Sequence, residues 1–202
     1  MASAVTLSKG EATKQEILER AAALASQRGL LGLTLGTLAE ETGLSKSGLY
    51  AHFQSKDALC TEVLQHVADR FVDRVVRPAL AAPRGEPRLR ALCSALLAWP
   101  DRSGLPGGCP ILGAVTELDD RPGPTRDLLV RQQKDWLDTI ATIVRSAIAE
   151  GHFRKDVDPE QFAFELYAVE FAYHHAIRLL GDPKSKARAR HAFDALIERA
   201  RP

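Results

Sequence analysis

One period runs through this chain. Between its clusters of proline and glycine, apolar residues recur every three or four positions, and no run rich in Val, Ile or Thr alternates apolar with polar. A spacing of three or four lines one face of a helix, whereas a half-buried strand needs a repeat of two. The clusters lie near residues 78–87, 100–110, 121–124, 151–159 and 181–183. Proline lacks the N–H and its ring collides with the preceding turn, so these clusters mark where helices stop or start. The fold class expected is all-α.

Residue by residue, the punctuation sets the helices. Thr13-Lys14-Gln15-Glu16 has the form of a capping box and is expected to open the first helix. Ile17, Ala21 and Leu24 then share its inner face, and Gly29 ends it. A short helix over Thr34–Thr42 turns Leu35, Leu38 and Ala39 inward and is broken by Gly43. Ser45 opens another, carrying Leu49 and Phe53, and Ser55 caps a longer one from Lys56 to Arg77, stopped by Pro78. Further helices are expected over about 87–99, 109–119 and 124–150. Asp158-Pro159 opens one to about Leu180, and Asp182-Pro183 opens the last, to about Arg199. The composition shift at 78–87 separates a three-helix head (1–56), with a linking helix over about 56–77, from a larger helical bundle (78–202).

Composition removes several function classes. Of the 202 residues 45% are hydrophobic and 26% charged, enough for a core and too much for global disorder. No run of 18 apolar residues spans a membrane, and Met1–Gly10 lacks the apolar stretch of a secretory signal. Three cysteines, Cys60, Cys93 and Cys109, cannot make a disulfide scaffold, so a cytoplasmic location is expected. A net charge of +1 argues against coating nucleic acid with the whole surface, but leaves room for a local patch. No phosphate-binding glycine loop, paired Cys-x-x-Cys or Gly-x-Ser-x-Gly elbow is present, so neither an enzyme nor a cofactor is expected.

The stretch from Thr37 to Phe53 carries the function. Ala39, Gly43 and Leu49 sit at offsets of zero, four and ten. A small residue lets two helices cross closely, a glycine takes the left-handed turn, and a branched apolar residue plugs the space between them: a helix-turn-helix. On the second helix Lys46 and Ser47 can donate to base edges in a major groove, and Gly48 lets the backbone approach. Tyr50, His52 and Lys56 can donate to phosphates. From Gly43 to Lys56 there are two lysines and no acid.

This segment resembles the DNA-binding head of the TetR family of bacterial transcriptional regulators. The likeness covers about residues 13–64: the glycine-ended first helix, Thr34 before the second, Gly43-Leu-Ser-Lys-Ser-Gly-Leu-Tyr-Ala-His-Phe, and Ser55-Lys-Asp-Ala-Leu opening the fourth. It implies that the third helix enters the major groove. Lys46, Ser47 and Gly48 would then face bases, and Thr34, Thr37, Tyr50, His52 and Lys56 phosphates, with Ser45 at the helix start. Ala51 stands where members often carry a larger residue.

The bundle suggests a ligand and a partner. The helix 159–180 has two apolar stripes, and the last helix carries Phe193, Leu196 and Ile197 among alanines. These two helices are expected to form a homodimer interface through Phe193, Leu196 and Ile197, as the resemblance also implies. Polar groups lie among the apolar faces, and Trp136, Tyr167, Tyr173 and His174 are the candidates to line an effector pocket. The resulting expectation is a repressor released from double-stranded operator DNA by a small apolar effector. Two alternatives remain at this point. Cys109, at a helix start in Gly107-Gly-Cys-Pro, could sense oxidants. Or the chain is an all-helical enzyme or carrier whose head only resembles a helix-turn-helix. Glu170 and His174, four apart, have metal-ligand spacing without a third ligand nearby, and no metal is expected.

Overall fold

The structure is a computed structural model and describes residues 9–202, with side chains from Gly10 onward. All regular secondary structure among the described residues is helical: α1 (Lys9–Arg28), α2 (Leu35–Thr42), α3 (Lys46–His52), α4 (Lys56–Phe71), a π-helical turn (Val72–Val76), α5 (Arg77–Ala81), α6 (Glu86–Arg102), α7 (Pro110–Leu118), α8 (Pro124–Ala149), α9 (Pro159–Arg178) and α10 (Ser185–Ala200). The chain forms two compact units. One holds the residues up to Val67 together with Leu105–Arg126; the other holds Ala68–Gly104 with Asp127–Pro202.

Three boundaries differ from the sequence expectation. Thr13 does not cap α1 but lies inside it, because Glu11 and Ala12 are good helix formers and Glu11 suits the positive end of the dipole. Pro78 does not stop the fourth helix. The chain widens into a π turn just before it, with the Arg77 N–H bonded to the Val72 carbonyl, and continues helically to Ala81. The wider turn gives room where a proline ring would meet the carbonyl four residues back. Asp182 does not open α10 directly: its carboxylate accepts from the Lys184 N–H at 2.9 Å in a preceding turn, and the helix starts at Ser185. Asp158 does cap α9, accepting from the N–H groups of Glu160 and Gln161 with Pro159 in the first turn.

In the first unit α1 packs on α2 and α7, and α2 on α3. Ile17, Ala21 and Leu24 of α1, Leu38 of α2, Leu49 of α3 and Phe53 after it are all at most 3% exposed. Each large side chain buried this way contributes about 1.5–3 kcal/mol. Segment 105–126 was expected with the bundle, yet it belongs to this unit. The contact that brings it there is close: Gly107 N–H donates to Ser26 Oγ at 2.9 Å, and a Cβ on Gly107 would collide with the Ser26 carbonyl. In the second unit α6 packs on the π turn, α5 and α10, and α9 on α10.

Candidate nucleic-acid interface

The turn between α2 and α3 is built from local chemistry. Thr34 is extended at the start of α2, and its Oγ1 accepts from the Thr37 N–H while Thr37 Oγ1 accepts from the Thr34 N–H, each at 3.0 Å. Thr37 also donates to the Thr34 carbonyl at 3.0 Å. Gly43 closes α2 at φ 69°, where a side chain would be strained, and its N–H reaches the Ala39 carbonyl at 2.9 Å. Ser45 is extended and caps α3 through the Gly48 N–H at 3.0 Å. Gly48 serves this cap as well, since a Cβ there would crowd Ser45 Oγ.

This geometry sorts the expected DNA residues. Thr34 and Thr37 have their hydroxyls turned into the cap of α2, and so position that helix. Ser45 Oγ is the α3 cap and lies 3.1 Å from Ser47 Oγ. Lys46, Ser47 and Ala51 are exposed, and Tyr50 is 55% exposed. Among the described residues, Lys46 and Tyr50 make no hydrogen bond or ion pair, although the Lys46 arm lies near Gly36 at the start of α2. His52 is half-buried beside the Phe53 ring. Lys56 is exposed, but its Nζ donates to the Leu31 carbonyl at 2.6 Å. Leu49, on the opposite side of α3, is fully buried. One face of α3 is therefore spent on the core and the other is uncommitted.

Residues that sequence reasoning did not assign hold the loop between α1 and α2. Glu117 on α7 accepts from the N–H groups of Leu30 at 3.2 Å and Leu31 at 2.7 Å, beside Gly29 at φ 76°. From the other side Lys56 takes the Leu31 carbonyl, and Cys60 Sγ the Leu30 carbonyl at 3.7 Å. Burial pushes the Cys60 thiol up to about 11, so it stays protonated and able to donate. Cys109, the residue before α7, is 8% exposed, which gives an oxidant little access.

The expected effector residues lie in the second unit and divide in the same way. Tyr173 is buried and its hydroxyl donates to the Leu97 carbonyl at 3.1 Å, so it belongs to the core. Tyr167 donates to Gln133 Oε1 at 2.6 Å. Trp136 Nε1 donates to Glu170 Oε2 at 3.0 Å, and its ring meets Phe71 edge-on at 5.0 Å. Phe71 in turn meets Trp99 at 5.3 Å. Burial pushes the Glu170 carboxyl up to about 7 against the lowering effect of the Trp136 N–H. His174 is held below the usual imidazole range by burial and by the nearby Arg178 and His175. His174 Nε2 and Trp99 Nε1 are buried without a hydrogen-bond partner among the described residues. Glu170 thus serves Trp136, and no group of three or more His, Cys, Asp or Glu among the described residues is placed to hold a metal.

The expected dimer residues need correction. Phe193, Leu196 and Ile197 are 2%, 6% and 1% exposed in the single chain. They face the chain's own core and have no surface left for a partner. On α9 and just after it the exposed large apolar residues are Phe164, Leu179 and Leu180. Ala168 and Ala172 are exposed with Phe164 and Leu179, and all four share one face of α9 and its end.

Comparison with known proteins agrees with this geometry. The family model described as "Bacterial regulatory proteins, tetR family" matches residues 17–63, and "Tetracyclin repressor-like, C-terminal domain" matches 85–193. The HTH-type transcriptional repressor KstR2 of Mycobacterium tuberculosis is 27% identical over 154 residues, covering 71% of this chain and 70% of that protein. The solved structure of a TetR transcriptional regulator from Chloroflexus aurantiacus is 28% identical, with a TM-score of 0.83 over 94% of each chain. A transcriptional regulator from Saccharomonospora viridis, solved in complex with choline, is 26% identical, with a TM-score of 0.77 over 93% of this chain and 96% of that one. No helix among the described residues is long and apolar enough to cross a membrane. With a capped helix-turn-helix at one end and a matching helical domain over more than half its length, the chain belongs to the TetR family and is a DNA-binding transcriptional regulator.

Proposed function

We propose that the chain acts as a homodimeric cytoplasmic repressor, released from its operator by a small apolar effector, and that it works by binding and not by catalysis. The observation that carries the DNA reading is the uncommitted face of α3, where Lys46, Ser47 and Tyr50 stand in solvent while Leu49 anchors the helix. A lysine in the first turn works against the helix dipole, a mild cost that contact with DNA would offset. Lys46 and Ser47 read base edges, Tyr50, His52 and Lys56 meet phosphates, and Thr34, Thr37 and Ser45 set the helices that present them. Two copies of α3 would reach successive major grooves about 34–36 Å apart.

The dimer is built through the outer face of α9, with Phe164, Ala168, Ala172 and Leu179, and not through the buried Phe193, Leu196 and Ile197. Small residues on that face allow close approach of a second copy. For the effector, support comes from the polar ends set among rings in the second unit: Glu170, His174 Nε2 and Trp99 Nε1 beside Trp136 and Phe71. Trp99 Nε1 can only donate, so it calls for a ligand acceptor such as a carbonyl or hydroxyl oxygen. An apolar body with one or two polar groups fits these ends. Moving the operator-bound population from mostly bound to mostly free requires about 5.5 kcal/mol of differential affinity for a full reversal.

The test is selection of a duplex from a random pool, followed by a thermal-shift screen of hydrophobic metabolites against the free chain. The expected result is one enriched, twofold-symmetric sequence, and a stabilising ligand that lowers affinity for it. A chain that enriches no sequence overturns the DNA reading. A stabilising ligand that leaves operator affinity unchanged overturns the release mechanism.

A further inference from the structure

Within the first unit, segment 118–126 closes a cleft of about 200 Å³ against the loop after α1 and the start of α4. Lys56, Arg121 and Arg126 line it with a single acid, Asp57, and with Leu31 and Cys60. Of the neighbouring acids, Glu117 accepts from Leu30 and Leu31 and Asp119 from the Asp120 N–H at 2.9 Å, while Asp120 and Asp127 stand outside the cleft lining. The cations are only partly engaged. Lys56 uses one donor on the Leu31 carbonyl, and Arg126 uses Nε on the Asp119 carbonyl at 3.0 Å. The exposed Arg121 guanidinium has no hydrogen bond or ion pair among the described residues. The far wall is pinned, since Thr125 Oγ1 lies 3.0 Å from Thr61 Oγ1 and donates to the Asp57 carbonyl at 3.4 Å. Positive charge is therefore held on both sides of a space that admits a phosphate group, at the residue that opens α4.

We propose that Lys56, Arg121 and Arg126 form one phosphate site, filled by a backbone phosphate of the DNA flanking each half-site. Segment 118–126 then belongs to the DNA-binding surface, outside the helix-turn-helix itself. The proposal rests on the reading that α3 faces DNA. Guanidinium groups suit this role because their fork matches phosphate oxygens, and each neutralised phosphate steepens the salt dependence of binding.

The experiment measures binding of the full chain to a random-sequence duplex and to an operator selected from a random pool, each across a salt series. Arg121→Ala is expected to weaken both several-fold and to flatten the slope of log affinity against log salt by about 0.9. Arg121→Lys, which keeps the charge, should retain the slope. On an operator trimmed to its two half-sites, Arg121→Ala and the wild type should coincide. An unchanged slope for Arg121→Ala on the long duplexes overturns the proposal. So does a wild type whose melting temperature rises with inorganic phosphate, through Arg121, while the DNA slope is indifferent to that residue; the cleft would then hold a free anion. Lys46→Ala separates the two failures. If it still impairs operator binding while Arg121→Ala does not, only the cleft proposal falls; if neither acts, the α3 reading falls with it.

Discussion

Helices α3 and α9 carry their polar groups in opposite ways. On α3 the polar side chains stand in water: Lys46 and Tyr50 are uncommitted, and the helix is held from behind by Leu49 and Phe53. On α9 the polar groups lie under aromatic cover, with Glu170 bonded to Trp136, Tyr173 to the Leu97 carbonyl, and His174 Nε2 unpartnered. Exposed donors cost nothing while they wait, because water satisfies them; buried ones do cost, unless something pairs with them. The first arrangement suits a large charged partner that arrives from outside. The second suits a small molecule that enters, or a proton.

The largest effect should come from confusing the two faces of the C-terminal helices. Ile197→Arg places an unpaired charge in a site that is 1% exposed and should cost about 3–5 kcal/mol or more, most of the stability of a domain at the low end of the range of about 5–15 kcal/mol. The chain should fail to fold, and no discrete monomer should appear. Phe164→Arg, at a side chain 65% exposed, should leave the melting temperature of the subunit nearly unchanged and yield monomers in sedimentation. A folded, dimeric Phe164→Arg chain would reject the outer face of α9 as the dimer surface.

Next in size is the buried carboxyl. Glu170 in the folded chain keeps its proton up to about 7, against 4.5 for the ordinary group. Between those values the folded state binds the proton and the unfolded state does not, so stability falls as pH rises through that window and is lowest above it. Glu170→Gln keeps an acceptor for Trp136 and removes the charge. It should raise stability at pH 8 by an amount on the order of 2 kcal/mol and leave it unchanged at pH 4. Glu86 supplies the opposite sign. Hydrogen bonding to Arg201 holds it down at about 2, so its contribution is present above 4.5 and is lost as pH falls toward 2. Denaturant midpoints across pH 3–8 for Glu170→Gln and Glu86→Gln should therefore approach the wild type in acid and diverge from it in opposite directions toward pH 8, Glu170→Gln upward and Glu86→Gln downward. A Glu170→Gln chain no more stable than wild type at pH 8 would mean that this carboxyl is well solvated.

How much of this was legible follows from how far apart the partners lie. Thr34, Gly43 and Ser45 set the helix-turn-helix through bonds spanning two to four residues, so the motif could be read directly. Asp158-Pro159 is equally local. The Glu117 clamp joins residues 86 and 87 apart, and no periodicity announces it. For the same reason the place of segment 105–126 with the first unit stayed hidden. Pro78 stops a helix when an ordinary α turn precedes it, and the π turn removes that condition. On α9 and α10, apolar residues lie on more than one face. Periodicity can count such faces but cannot say which one turns inward, and for Phe193, Leu196 and Ile197 it is the inward one.

The smaller predictions return to α3. Lys46→Ala should cost about 1–3 kcal/mol on a selected operator and relax the preference at one base pair, with the melting temperature unchanged because the side chain holds nothing in the fold. Tyr50→Phe is subtler. The ring stays and only the hydroxyl goes, so helix, packing and charge are preserved, and at 55% exposure its removal leaves no buried group unpaired. If the hydroxyl donates to a backbone phosphate, its loss should weaken the selected operator and a random duplex alike, by about 0.5–1.5 kcal/mol. The salt slope should not move, because a neutral donor releases no counterion, and that separates Tyr50 from Lys56 and Arg121. Equilibrium binding of the two duplexes at a fixed salt concentration decides it. A loss confined to the operator would place Tyr50 on a base edge, and no loss on either would leave the tyrosine a surface ring beside the groove.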